Sequence, residues 1–345
     1  MSPKPVESIT LPRTLYSLLF VVLFSLFYGR ESAAHRLQPG VLTLKEIAPN
    51  RFTVRWLPPD NGHSQGPPVA VHFPKQCRLS GGETLQAQGG VPGLDVLDCT
   101  ASGLSGPVSF SSPGNVIGPV GVDIDWLTGD DWFRVTSAEP PVLELPGRGS
   151  DGGGLEVAGD FVVLGIHHIL SGVDHILFVL GLLLLVKTRK RLLWTVTSFT
   201  VAHSITLTAA ALHLVHLPAG PVEICIALSI LLLAAETSTS GDTITRRAPW
   251  LIAFSFGLLH GFGFAAALSS AEVPSSHLPL ALFSFNVGVE LGQLMTIGAA
   301  ALIWTRIPKR LKQDGGVERF ASFVLGGFAT YWLLQRIQYW LSSLM

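Results

Sequence analysis

The segment GIHHILSGVDHILFVLG (165–181) has the apolar composition of a membrane-spanning helix, yet it contains His167, His168, Asp174 and His175. A charged side chain at the centre of a bilayer costs roughly 2.5 kcal/mol or more, so ionisable residues in such segments usually serve a function. Imidazole and carboxylate groups ligate divalent transition metals, and chains of the same groups relay protons. The segment therefore predicts a metal site, with a proton relay as the alternative.

Helical spacing divides these four residues between two levels. In one continuous α-helix, His168 and His175 share one stripe, and His167 and Asp174 share another stripe about 100° away. A separation of seven residues is about 10 Å along the axis, which ligand bonds of about 2 Å cannot span. We therefore expect an outer level with His167 and His168 and a deeper level with Asp174 and His175, each completed by other helices.

Further polar residues lie near the middle of later apolar segments, namely His203 in FTVAHSITL, His260 in FGLLHGFGFA and Glu290 in FNVGVELGQ. One buried histidine is more often a hydrogen-bonded packing residue, but five ionisable groups at one depth are hard to explain by packing. These residue types suit nickel, cobalt, copper or zinc without distinguishing them. The predicted ligands are His168, Asp174, His175, His203, His260 and Glu290. Secondary candidates are His167, Ser171, Asn286, Gln293 and His35.

Six apolar segments are long enough to cross a bilayer, and they predict the helices that position these residues. Their approximate limits are 157–186, 192–214, 220–236, 250–271, 278–305 and 319–342. Lys and Arg follow the first, third and fifth segments, whereas the loops after the second and fourth contain neither. By the positive-inside rule the basic loops are cytoplasmic, so the N-terminal region and the C-terminus are expected outside.

The first 34 residues are typical of a secretory signal peptide. Lys4 and Arg13 accompany the apolar core LYSLLFVVLFSLFYG, and Ser32 and Ala34 occupy the −3 and −1 positions of a cleavage site. An uncleaved anchor helix is the alternative. Cleavage would make His35 the N-terminus, where a free amine and an imidazole could together chelate a metal such as copper.

Residues 35–150 have the pattern of short strands separated by Pro, Gly, Asn and Ser, as in an antiparallel sandwich. Cys77 and Cys99 fall in this region, and an oxidising compartment favours a disulfide between them. Cys225 lies in an apolar segment and is expected to be a free thiol. The expected fold is therefore an all-β, sandwich-like exported domain, a linker at 151–156 and a six-helix transmembrane domain at 157–345.

Composition excludes several classes of protein. A mean hydropathy of +0.45, with 48% hydrophobic and 14% charged residues, is too apolar for a soluble protein. A net charge of −1 and the absence of a basic aromatic patch argue against nucleic-acid binding. GxxxxGK[ST] is missing, so the chain itself should not hydrolyse nucleotides. HExxH, GxSxG and a paired CxxC are missing as well. The expected partners are a metal ion and the lipid bilayer.

Four motifs resemble the HupE/UreJ family of bacterial membrane proteins. They are HHILSGVDHILFVLGLLLL, FTVAHSITL, FGLLHGFGFA and NVGVELGQL, in this order, and the resemblance spans about 157–342. It extends to AHRLQPG and RFTVRWLPP in the exported region. Smaller members of this family are associated with hydrogenase and urease gene clusters and are regarded as nickel permeases. The resemblance implies transport of nickel or a related metal by the six predicted ligands, in a bacterial inner membrane.

The leading interpretation is thus a permease for a divalent transition metal, in which neutral imidazoles bind the ion and carboxylates balance its charge. One alternative is a membrane-embedded metallohydrolase, because three histidines and a carboxylate around an ion with an open position would activate water. Another is a membrane scaffold for metalloprotein assembly, with the exported domain docking a partner protein.

Overall fold

The computed structural model describes residues 39–59, 68–82, 84–87, 93–112, 117–149, 153–215, 217–239, 241–270, 273–274, 276–308 and 316–344. The predicted signal peptide (1–34), His35 and the start of the predicted linker lie outside these residues.

The described part of the N-terminal region contains ten strands arranged in two sheets. They are β1 (Gly40–Ala48), β2 (Arg51–Leu57), β3 (Val69–His72), β4 (Cys77–Leu79), β5 (Leu85–Ala87), β6 (Gly93–Cys99), β7 (Gly106–Ser111), β8 (Val120–Asp125), β9 (Asp131–Thr136) and β10 (Val142–Leu145). One sheet has the order β4-β6-β2-β1-β8-β9 and the other β10-β7-β3-β5. Strands β1 and β8 pair in parallel, and the other described pairs are antiparallel.

The two sheets share one hydrophobic core. Alternation along β2 buries Phe52, Val54 and Trp56, as period-two patterning requires of a strand with one covered face. The ring of Trp56 packs 4.9 Å from that of Phe110 in the second sheet, and its indole N–H donates to the carbonyl of Val69. The predicted β-rich N-terminal region is confirmed.

The predicted disulfide is also present. Cys77 in β4 and Cys99 in β6 are directly paired across the two strands and are bonded to each other. Cys225 is a free thiol, as expected. The disulfide therefore fixes the edge strand β4 to its sheet.

Eight helices follow in the described part of the chain. They are α1 (Gly154–Ser171), α2 (Val173–Leu185), α3 (Arg189–Ala211), α4 (Ala219–Ser238), α5 (Ile244–Arg247), α6 (Pro249–Ser270), α7 (Leu278–Arg306) and α8 (Gly316–Ser343). Helix α1 begins inside the predicted linker. The first predicted span is thus two helices, because the backbone of Gly172 is extended, with φ −78° and ψ 96°.

The helical region belongs to a multi-pass membrane protein. Among the described residues, α1, α4 and α7 are each long and apolar enough to cross a bilayer by length and composition. Helix α2 and the first part of α6 are shorter apolar helices. Helices α3 and α8 are longer than α2 but contain several charged residues. These include Arg189, Lys190 and Arg191 in α3 and Glu318, Arg319 and Arg336 in α8.

Glycines set the closest helix contacts. In the contact of α1 with α7, a Cβ on Gly165 would overlap the carbonyl oxygen of Phe285, and a Cβ on Gly288 would overlap that of Val162. In the contact of α3 with α6, a Cβ on Gly261 would lie only 2.5 Å from the carbonyl oxygen of His203. Small residues let membrane helices approach until their backbones touch. These close contacts therefore fix the positions of the histidines on the paired helices.

Strand β9 fastens the β region to the start of α1. The guanidinium of Arg134 donates to both carboxylate oxygens of Asp160, at 2.6 and 3.1 Å, and the Val135 N–H donates to the same carboxylate at 3.1 Å. These bonds to Asp160 hold the pKa of Arg134 above its usual value. The rings of Phe133 and Phe161 stack beside them, with centroids 6.2 Å apart.

Candidate functional site

Four histidines from four helices lie together in the interior of the helical region. His168 is near the end of α1, His175 is at the start of α2, His203 is in α3 and His260 is in α6, and none is more than 7% exposed. The ring of His168 lies 4.6 Å from His175 and 6.1 Å from His203, and His175 lies 5.3 Å from His260. We call these four residues the histidine cluster.

The break at Gly172 brings the first two members together. Gly172 donates its N–H to the carbonyl of His168 at 3.1 Å and accepts from the N–H of Ile176 at 3.0 Å, so it caps both the end of α1 and the start of α2. The expectation that His168 and His175 occupy separate levels is wrong. It assumed one continuous helix, in which seven residues are about 10 Å of rise, whereas the extended residue allows the two rings to meet.

Aromatic side chains enclose the cluster. Phe178 and Phe199 pack 5.4 and 5.1 Å from the ring of His260, and Phe285 packs 5.5 Å from that of His168. These three phenylalanines are themselves fully buried. Such walls exclude water and strengthen electrostatic interactions inside the cluster.

Ser229 of α4 orients the ring of His260. Its hydroxyl donates to the carbonyl of Ile226 at 2.7 Å and lies 3.3 Å from Nε2 of His260. Because the only hydroxyl hydrogen is used on Ile226, this contact favours Nε2 of His260 as the donor. A partner that fixes the tautomer in this way is typical of metal-ligating histidines.

Asp174 forms an ion pair that the sequence analysis did not predict. Its Oδ2 lies 2.6 Å from a guanidinium nitrogen of Arg336 in α8, and the two side chains are 1% and 6% exposed. Arg336 also donates to the carbonyl of Glu223 at 3.0 Å. The sequence does contain an indication of this position, because an arginine inside the apolar segment 319–342 is usually functional.

Residues 150–336, more than half of the chain, match the family model described as HupE / UreJ protein. The chain belongs to the HupE/UreJ family. This family is associated with nickel/cobalt uptake, and its members are transporter-like membrane proteins and not enzymes. The resemblance seen in the sequence is thereby confirmed, and family membership argues against the membrane hydrolase. No curated protein and no solved structure matches the chain.

The range that matches the HupE/UreJ family contains the whole histidine cluster and ends at Arg336, whereas the β region precedes it. The polar residues of the helical region therefore belong to the family domain, and the two sheets are an addition before it.

Glu290 and Gln293 of α7 bond to threonines of α3 that the sequence analysis did not single out. The Thr197 hydroxyl donates to Glu290 at 2.6 Å, and the Thr200 hydroxyl donates to Gln293 at 2.9 Å. Thr197 precedes His203 by six residues, about 9 Å of helical rise. Glu290 is therefore displaced from the cluster along the axis of α3. That Glu290 shares one metal site with the histidines stays a prediction.

The other secondary candidates make local bonds. Asn286 donates to the carbonyl of Leu282 at 2.7 Å, and the Ser171 hydroxyl donates to the carbonyl of His167 at 2.7 Å. The side chain of His167 is exposed on α1, away from the cluster. Roles for these residues, and for His35, stay predictions.

The histidine cluster is near the spacing that a shared ion requires. Two imidazoles that ligate one ion by bonds of about 2 Å have ring centres roughly 5 Å apart, and neighbouring rings of the cluster are 4.6 to 6.1 Å apart. Within the described residues, however, no three His, Cys, Asp or Glu side chains are placed to ligate one ion as they stand. Ion binding therefore requires the rings to turn about their side-chain torsions.

Proposed function

We propose that this protein is a membrane permease for a divalent transition metal of the nickel/cobalt type and that the ion passes through the histidine cluster. The observation that carries the proposal is a buried chain of four imidazoles from four helices, in which neighbouring ring centres are 4.6 to 6.1 Å apart. Uncharged imidazole nitrogens are suitable ligands for nickel and cobalt. The association of the family with nickel/cobalt uptake points to the same substrate.

The broken helix supports a transport role. Discontinuous membrane helices in transporters place backbone carbonyls and helix ends at the substrate site, near the middle of the bilayer. Here the negative end of the α1 dipole lies at His168, where it favours a cation, while Asp174 offsets the positive end of the α2 dipole. The bound ion would meet the last turn of α1 and the first turn of α2 together.

The proposed arrangement has six spans, with α1 and α2 together forming the first. The sandwich-like β domain and the C-terminus lie outside the bacterial inner membrane, and the basic loops lie in the cytoplasm. Helix α3 then runs outwards from Arg189, so Thr197 and Glu290 lie on the cytoplasmic side of His203. An ion that enters from outside would meet the histidine cluster before Glu290 and Gln293.

The test is uptake of Ni²⁺ and Co²⁺ by proteoliposomes that contain the full-length protein. We expect His175→Ala and His260→Ala to reduce initial uptake at least about tenfold, because each removes one imidazole from the cluster. His167→Ala is the matched control, since it removes an exposed histidine from the same helix as His168. Uptake by His175→Ala at the wild-type rate would refute the proposal.

Equilibrium dialysis of the same proteins separates binding from flux. The wild-type protein and His167→Ala should retain Ni²⁺ with the same affinity, and the two cluster variants should not. If His167→Ala loses as much Ni²⁺ as His175→Ala does, the ion is not bound by the cluster.

A further inference from the structure

Arg336 places a positive charge beside Asp174, which precedes His175 of the histidine cluster in the chain. Its guanidinium is bonded to Asp174, the residue immediately before His175, and to the carbonyl of Glu223 in α4. An arginine stays protonated in a protein interior, and its planar group can hold two acceptors at once. Asp174, the carboxylate predicted to balance the charge of the metal, is therefore already paired with a cation.

Two cations cannot share this carboxylate without cost. In a low-dielectric interior, the attraction of a divalent ion for Asp174 and its repulsion from Arg336 are both strong. The guanidinium holds Oδ2 of Asp174, so an ion that draws this carboxylate towards His175 weakens the pair with Arg336. Arg336 would then keep its second acceptor, the carbonyl of Glu223, and so stay close enough to pair again.

We propose that Arg336 is a resident counter-ion that competes with the transported metal for Asp174 and thereby limits how tightly the site binds. The inference rests on the proposed function and assigns a release mechanism to the same site. Conduction requires binding that is strong enough for entry and weak enough for exit. When the metal leaves, the guanidinium pairs with Asp174 again and keeps the empty site neutral.

A purely structural ion pair predicts a different result. If the pair only holds α8 against α2, the loss of Arg336 loosens the fold and weakens metal binding. Under competition, the loss of Arg336 tightens metal binding, provided that Asp174 is present. The direction of the change in affinity therefore separates the two roles.

The experiment measures the dissociation constant for Ni²⁺ alone, by competition with a chromophoric chelator, on purified full-length protein. Competition predicts that Arg336→Gln binds Ni²⁺ at least about tenfold more tightly than wild type, while initial uptake in proteoliposomes falls. In the Asp174→Asn background the same substitution should tighten binding only about threefold, because only repulsion through space is removed. Arg306→Gln, which removes an exposed arginine at the end of α7, should leave the affinity unchanged.

Unchanged or weaker Ni²⁺ binding by folded Arg336→Gln overturns this inference but leaves the proposed function intact. If that variant does not fold, Arg336→Lys decides, since it keeps a cation in the pair but loses the planar group that holds two acceptors at once. It should bind Ni²⁺ about threefold more tightly than wild type because the weaker pair competes less for Asp174, and equal or weaker binding overturns the inference. A wild-type protein that binds neither Ni²⁺ nor Co²⁺ overturns the proposed function together with it.

Discussion

Gly172 determines how His168 and His175 meet. A Cβ at this position would lie 2.5 Å from Nδ1 of His175 and 2.8 Å from the carbonyl oxygen of His168. Both distances are too short for a real contact, and the carbonyl belongs to the backbone and cannot move independently. Glycine is therefore required here to let the imidazole approach the break.

We expect Gly172→Ala to weaken Ni²⁺ binding by about tenfold or more, because the methyl group displaces His175 from the other rings. Isothermal titration of the detergent-purified protein measures the effect. Gly298→Ala is the matched control, since a Cβ on Gly298 in α7 meets nothing within 4 Å. Wild-type affinity in Gly172→Ala would mean that the observed approach of His175 to the break is not needed for binding.

At the residue scale, the sequence predicts the identity of the clustered side chains more accurately than the contacts between them. His203 and His260 were identified as partners of the first segment because polar residues at mid-span depth stand out against apolar neighbours. The contact between His168 and His175 could not be predicted, since it depends on one extended residue in an otherwise helical segment. The pairing of Asp174 with Arg336 depends on the packing of α8, which hydropathy does not reveal.

Helix pairs position the cluster. Helix α1 packs on α7 through Gly165 and Gly288, and α3 packs on α6 through Gly257 and Gly261. His168 therefore lies three residues after one contact point, and His260 lies directly beside another. The apolar segments were predictable from composition, whereas their partners depend on glycines whose contacts the sequence does not specify.

Gly165→Ala should lower the thermal stability of the helical region. The added methyl would overlap the backbone of α7, and overpacking of this kind costs about 1–3 kcal/mol. The midpoint of thermal unfolding in detergent measures the change. Gly159→Ala in the same helix is the control, because a Cβ there meets nothing within 4 Å and alanine is the better helix former. Equal midpoints for the two variants would contradict a close contact between α1 and α7.

The whole molecule is held together at the junction of β9 and α1. Asp160 accepts three bonds there, two from Arg134 and one from the Val135 N–H. Ser276, just before α7, also donates to Asp131 at the start of β9. The β region therefore rests on the N-terminal ends of α1 and α7, the two helices that carry His168 and the Phe285 ring beside it.

The disulfide of the β region and the basic loops predict the orientation of the protein in the membrane. In a Cys225→Ser background, Ala138→Cys lies on the exposed surface after β9, and Lys190→Cys lies in the basic turn at the start of α3. We expect a membrane-impermeant maleimide to label Ala138→Cys in intact spheroplasts, because the disulfide of the β region favours an oxidising compartment outside the cytoplasm. Lys190→Cys should react only after permeabilisation, because basic loops remain in the cytoplasm. Labelling of Lys190→Cys in intact spheroplasts would invert the topology and place Glu290, not the histidine cluster, nearer the external face.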